Sequence, residues 1–113
     1  MDIQQIEDFV RGNHTSGEIP ALMQDQDRAG GYAAYIGSLV NALEEKLSNE
    51  EANALSEVMH DEELTETVRK VRIKAKTAGT KRAYQDMKLL YHRLIQVERK
   101  LAQAIKTIRE SPR

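Results

Sequence analysis

The sequence predicts an all-α protein, a small helical bundle with a long C-terminal helix and two short N-terminal helices. Apolar residues recur at helical spacing along the C-terminal third, no stretch alternates as a strand would, and helix-forming residue types dominate. The single Phe and the absence of Trp disfavour an aromatic-rich β-sandwich or barrel. At 113 residues we expect one domain, with residues 1–27 holding the short helices and a loop and 28–113 the main bundle.

The C-terminal helix is predicted over 80–110. Its apolar positions follow one another in steps of three and four, and they are Ala83, Met87, Leu90, Leu94, Val97, Leu101, Ala104 and Ile108. Tyr84, Tyr91 and Ile105 widen this seam into a stripe. A lone helix cannot bury such a stripe, so the rest of the chain or a second copy must cover it. We therefore expect a homo-oligomer.

The N-terminal segment is predicted to form two short helices. Asp2 can cap the first, whose apolar face includes Ile6 and Phe9. A loop is expected at 14–19, and Pro20 suits the first turn of a second helix that the polar residues 25–27 would stop.

The middle of the chain is predicted to contain shorter helices. One spans about 28–47, with Gly30, Ala34 and Gly37 as a small-residue strip where another helix crosses. Residues 48–51 form a capping box that would begin a new helix burying Ala52, Leu55 and Met59. The next seam is Leu64, Val68, Val71, Ala75 and Ala78. Gly79 would end that helix, so 62–78 and 80–110 make either a helical hairpin with a very short turn or a bent continuous rod.

Catalytic and metal sites have little support in the sequence. Without Cys there is no disulfide or thiolate ligand, and none of the three histidines lies in a triad context. Glu57 and His60 have the i, i+3 spacing of di-metal bundles, but the motif occurs once and such sites need two copies. We expect no enzyme activity and no cofactor.

The N-terminus lacks the basic flank and apolar stretch of a signal peptide, and no apolar run is long enough for a membrane span. We therefore expect a cytoplasmic protein (host cytoplasm if the source is viral) with no membrane partner.

Charge is strongly segregated along the chain, although the formal net charge is only -1. Residues 1–67 hold fifteen Asp and Glu against three Lys and Arg, whereas 68–113 hold three acids against fourteen bases. Segregation on this scale indicates an interaction surface.

The densest basic stretch is the candidate site. Seven positive charges fall within 69–82 with no acid among them, and they are Arg69, Lys70, Arg72, Lys74, Lys76, Lys81 and Arg82. Clustered bases neutralise phosphates, and the nearby Tyr84 could stack on unpaired bases, so nucleic-acid binding is one interpretation. The alternative is that the basic half pairs with the acidic half, within the chain or between copies, or with another acidic protein surface.

The order of these parts resembles the small helical accessory proteins of bacteriophage DNA recombination and replication, of the recombination-mediator type. The resemblance covers about 28–110. It consists of a helix with Tyr32 and Tyr35, an acidic middle, a Thr-Glu-plus-basic segment at 65–76, and a long closing helix with a tyrosine near its start. It implies binding of single-stranded DNA by a basic surface, oligomer formation through helices, and contact with a recombinase or helicase.

Overall fold

The computed structural model describes residues 2–12, 14 and 17–111. Within them the chain forms three helices and no strand: α1 (Ile3–Arg11), α2 (Ile19–Met59) and α3 (Glu66–Glu110). The predicted all-α class and the long C-terminal helix are confirmed. None of the described helices combines the length and apolar character that a membrane span requires.

The chain divides into two compact units. The first comprises Met1–Gly37 together with Leu89–Arg113, and the second comprises Ser38–Lys88. Because α2 and α3 each run through both ranges, each unit is built mainly from one part of each long helix.

In the first unit, α1 begins as the sequence predicts. The side chain of Asp2 accepts a hydrogen bond from the backbone N–H of Gln4 at 3.0 Å, and Ile6 on the apolar face is fully buried. Of the loop predicted at 14–19, Thr15 and Ser16 lie outside the described residues.

The predicted C-terminal seam is confirmed from Met87 onward. Leu90, Leu94 and Leu101 are buried, and Ala83 is the only seam position that the structure exposes. The core cluster of this unit combines Leu22, Ala29, Leu101 and Ile105. Partly buried apolar residues pack around it, and these are Phe9, Ile19, Val97, Ala104 and Ile108.

Two glycines of the predicted small-residue strip face α3 within the first unit. A Cβ added to Gly37 would lie 3.3 Å from Cε2 of Tyr91, and one added to Gly30 would lie 4.0 Å from Oε1 of Glu98. The group that approaches Gly37 closely is the side-chain ring of Tyr91 and not a helix backbone, so Gly37 makes room for that ring. Ala34, between the two glycines, is exposed.

The predicted breaks in α2 are wrong, because this helix continues for 41 residues from Ile19 to Met59. Pro20 is its second residue, a position where the missing N–H costs nothing. Buried Leu22 and Ala29 stand seven residues apart, so the apolar phase passes unchanged across the polar residues 25–27. The capping-box residues 48–51 also lie inside the helix, where the i→i−4 ladder already satisfies their backbone groups.

Of the two alternatives for 62–110, the hairpin with a helix end at Gly79 is wrong and the continuous helix is confirmed, because α3 runs without a break from Glu66 to Glu110. The turn between α2 and α3 lies earlier, at 60–65, where the sequence pattern loses its phase. There Asp61 accepts from the backbone N–H of Glu63 at 3.1 Å, and Thr65 Oγ1 accepts from that of Val68 at 3.3 Å. These two bonds close the turn and cap the start of α3.

Most of the predicted apolar positions in the second unit are turned to solvent, although Leu64 is half-buried. Val68, Val71, Ala75 and Ala78 are exposed, and so are Ala52, Leu55 and Met59. The buried positions are instead Ala54, Val58 and Thr77, with Ile73 half-buried. The physical reason is the phase of the helix. Residues seven positions apart lie on the same face of α3, and counting back in sevens from buried Leu94 gives Met87, Thr80 and Ile73, not Val71.

Candidate nucleic-acid interface

The basic residues of the candidate site all lie on the N-terminal half of α3, within the second unit. No Asp or Glu occurs between Glu66 and Asp86. Within the described part of the chain, four of the bases are exposed and form no ion pair, and they are Arg72, Lys74, Lys81 and Arg82. These four are free to contact a partner.

The other three bases make contacts within the second unit. Lys76 forms an ion pair with Glu57 of α2, and Lys70 lies 3.5 Å from Glu66 one turn away. Because both pairs are solvent-exposed, each contributes roughly 0–1 kcal/mol to the stability of the fold. An anion that binds the lysine more strongly would displace the carboxylate. Arg69 is half-buried, and its Nη2 donates to the carbonyl oxygen of Asp61 at 3.0 Å. Arg69 therefore fixes the turn.

Helical spacing divides the candidate bases between different sides of α3. Lys70, Lys74 and Lys81 stand at i, i+4 and i+11 and share one flank, which Lys88 extends by a further seven residues. Arg72 and Lys76, four residues apart, lie on the opposite flank, and Arg82 lies on the outer face. The bases therefore surround the exposed half of α3 instead of lining one groove.

Tyr84 is half-buried, and the ammonium of Lys88 lies 5.6 Å from the centre of its ring. That distance is within the range of a cation–π contact. Lys88 is thus the positive charge most directly coupled to the aromatic ring. The i, i+4 spacing of Tyr84 and Lys88 is the sequence signal for that contact.

Two carboxylates of α2 in this unit, Glu50 and Glu57, have protein partners. Glu57, the carboxylate of the Glu57–His60 spacing, forms an ion pair with Lys76. Glu50 Oε1 accepts from the hydroxyl of Thr80 at 2.9 Å, whereas its buried Oε2 has no hydrogen-bond partner. Among the residues that the structure describes, no group of three or more His, Cys, Asp and Glu could hold a metal ion.

No family model, curated protein or solved structure matches this chain.

Proposed function

We propose that this chain is a non-catalytic, self-assembling accessory protein that binds single-stranded DNA in phage-type recombination or replication. The observation that carries the proposal is the group of exposed, unpaired bases on an acid-free segment of α3, namely Arg72, Lys74, Lys81 and Arg82. Like charges held close together repel one another. A polyanion relieves that repulsion and releases its own counterions on binding.

The arrangement of these bases suits a flexible strand. They wrap the exposed half of α3 and do not line a single groove, so a single strand can follow them, whereas a rigid duplex meets only part of the set. Tyr84 and Lys88 offer a ring and a charge at the end of the same segment. Contact with a recombinase or helicase is proposed on the resemblance alone.

A rival function is a structural or adaptor oligomer whose basic half binds an acidic protein surface. The observation that favours it is that Lys76 and Lys70 already pair with carboxylates of this chain, Glu57 and Glu66. Bases that pair with carboxylates within one copy can also pair with carboxylates on another protein.

Fluorescence anisotropy with labelled oligonucleotides at two salt concentrations tests the proposal. The probes are oligo-dT, a mixed-sequence single strand and a duplex. The variant replaces Lys74, Lys81 and Arg82 with Gln, and Lys76 is kept because it pairs with Glu57. The control replaces Arg99, Lys100 and Lys106, which are also exposed bases of α3 but lie in the first unit, so the net charge changes by the same amount.

We expect the site variant to bind every probe more weakly than the wild type does. Its slope of log K against log[salt] should be shallower by roughly 2 on a single strand, at about 0.7 per lost contact. The control should keep most of the affinity. Absence of oligonucleotide binding at low salt, together with oligomers that dissociate in the site variant, would overturn the proposal in favour of the rival.

A further inference from the structure

The second unit exposes four large apolar side chains. Leu55 and Met59 on α2 are 50% and 61% exposed, and Val68 and Val71 on α3 are 40% and 62% exposed. Single exposed apolar residues are ordinary on protein surfaces, but grouped ones indicate interaction sites. On each helix the two exposed residues lie three or four positions apart, so they share a face of that helix.

On α3 they belong to an outer α3 strip, which consists of Val68, Val71, Ala75 and Ala78. On α2 they belong to an outer α2 strip of Ala52, Leu55 and Met59. All seven residues are exposed, and both strips step by three and four, so each lies along one face of its helix. This is the spacing with which a helix packs lengthwise against another helix.

The charges beside the two strips have opposite signs. Arg72, Lys74 and Arg82 lie within one turn of outer α3 strip residues. Glu51 lies one turn before Leu55, Glu45 lies two turns before Ala52, and Glu62 and Glu63 follow Met59 in the turn. Pairing an α3 strip with another α3 strip would bring like charges together, which disfavours it. Pairing an α3 strip with an α2 strip joins apolar surface to apolar surface and base to acid.

We propose that the occupant of these strips is a second copy of this chain, with the outer α2 strip of one copy packed on the outer α3 strip of the other. This inference rests on the self-assembly part of the proposed function and names its surface. It does not require nucleic-acid binding. Because the contact joins two different surfaces, it can close into a ring or two-fold pair or continue as a filament.

Sedimentation velocity without nucleic acid tests the inference at several protein concentrations. One variant carries Leu55→Gln and Met59→Gln, and the other carries Val68→Gln and Val71→Gln. Because all four side chains are exposed, neither variant removes core packing, and circular dichroism should remain helical. The matched control is Leu89→Gln, an α3 residue of the first unit that is 52% exposed.

We expect the wild type and the Leu89 control to associate alike, and each double variant to associate about tenfold or more weakly. A mixture of the two double variants should regain association, because each supplies the strip that the other lacks. A monomeric wild type at high concentration would overturn the inference, and so would an equal loss in the control. Self-association of the Leu55/Met59 variant at wild-type strength would also overturn it, since the α3 strip would then pair with itself.

These outcomes are separable from failure of the proposed nucleic-acid binding. Sedimentation without nucleic acid measures only association between copies, whereas anisotropy measures oligonucleotide binding. A chain that assembles through the strips and ignores every oligonucleotide would retain this inference and lose the DNA-binding proposal.

Discussion

His14 links α1 to α2 with both of its ring nitrogens. Nε2 lies 2.7 Å from the carbonyl oxygen of Phe9 at the end of α1, and Nδ1 lies 3.2 Å from a carboxylate oxygen of Asp25 on α2. The ring also lies 4.6 Å, centre to centre, from that of Phe9. Both ring nitrogens therefore have polar neighbours, and His14 connects α1 to α2.

We expect His14→Ala to loosen α1. The change removes two polar contacts and a ring contact, so the free energy of unfolding should fall by roughly 1–3 kcal/mol. Hydrogen exchange should accelerate at the amides of Ile3–Arg11 more than at those of Leu94. His60→Ala is the control, because His60 is exposed in the 60–65 turn. Equal exchange of α1 in both variants would contradict the role given to His14.

Gly79 offers a test of helix continuity at a single residue. A Cβ added there has nothing within 4 Å, and no described Gly has positive φ. We expect Gly79→Ala to raise the free energy of unfolding by about 0.5–1 kcal/mol, the ordinary gain of Ala over Gly inside a helix. Urea denaturation measures it.

Gly37→Ala provides the contrast for Gly79, since its added Cβ would meet the Tyr91 ring at 3.3 Å. Gly37→Ala should raise the free energy of unfolding by less than Gly79→Ala does, or it should lower it. If Gly79→Ala were the destabilising change of the two, the chain would break at 79, as the hairpin alternative requires.

At the scale of the helix, α3 contains two apolar series with the same spacing but different surroundings. Leu94, in the C-terminal seam, is 0% exposed, whereas Val71, in the outer α3 strip, is 62% exposed. We expect Leu94→Ala to cost roughly 2–5 kcal/mol through lost burial and a cavity. Val71→Ala should change stability by less than about 0.5 kcal/mol, because it leaves no cavity. Chemical denaturation of both variants in one buffer compares them, and similar losses would contradict the phase of α3.

At the scale of the whole molecule, the segregation of charge follows the helices. In the second unit the acids lie mostly on α2 and the 60–65 turn, and the bases lie almost entirely on α3. This layout gives α3 a basic surface that can contact a polyanion or the acids of another copy, and it gives α2 an acidic surface that can contact the bases of another copy. The proposed DNA binding and the proposed assembly both depend on it.

Tyr84→Leu separates stacking from electrostatics in the proposed function. If the ring stacks on bases, affinity for single strands should fall by roughly 1–3 kcal/mol for the base concerned, with an unchanged salt slope. Anisotropy titrations at several salt concentrations measure both quantities. Tyr91→Leu is the control, as a half-buried tyrosine of the same helix in the first unit. A shallower salt slope for Tyr84→Leu would assign the effect to displacement of Lys88 instead.

Sequence alone is enough to predict the helical class, the Asp2 cap of α1, the seam from Met87 to Ile108 and the acid-free basic segment. Each of these depends on residues close together in the chain, where spacing, capping and charge act locally. The basic residues of the candidate site could likewise be named from sequence alone, because a charge run needs no fold to be recognised.

Which face of the N-terminal half of α3 is buried depends on how the folded chain packs, and local sequence could not predict it. Two series of residues in this part of α3 fit a helical period, Val68–Val71–Ala75–Ala78 and Ile73–Thr77–Thr80. The break assumed at Gly79 favoured the first series, which is the more apolar. A continuous helix cannot reset its phase, so the seam around Leu94 fixes the rotation of every residue before it. Thr77 and Thr80 are therefore turned inward, where each hydroxyl finds an acceptor, the carbonyl of Ile73 and the carboxylate of Glu50. Val68 and Val71 are consequently turned outward, an orientation that the sequence pattern alone could not predict.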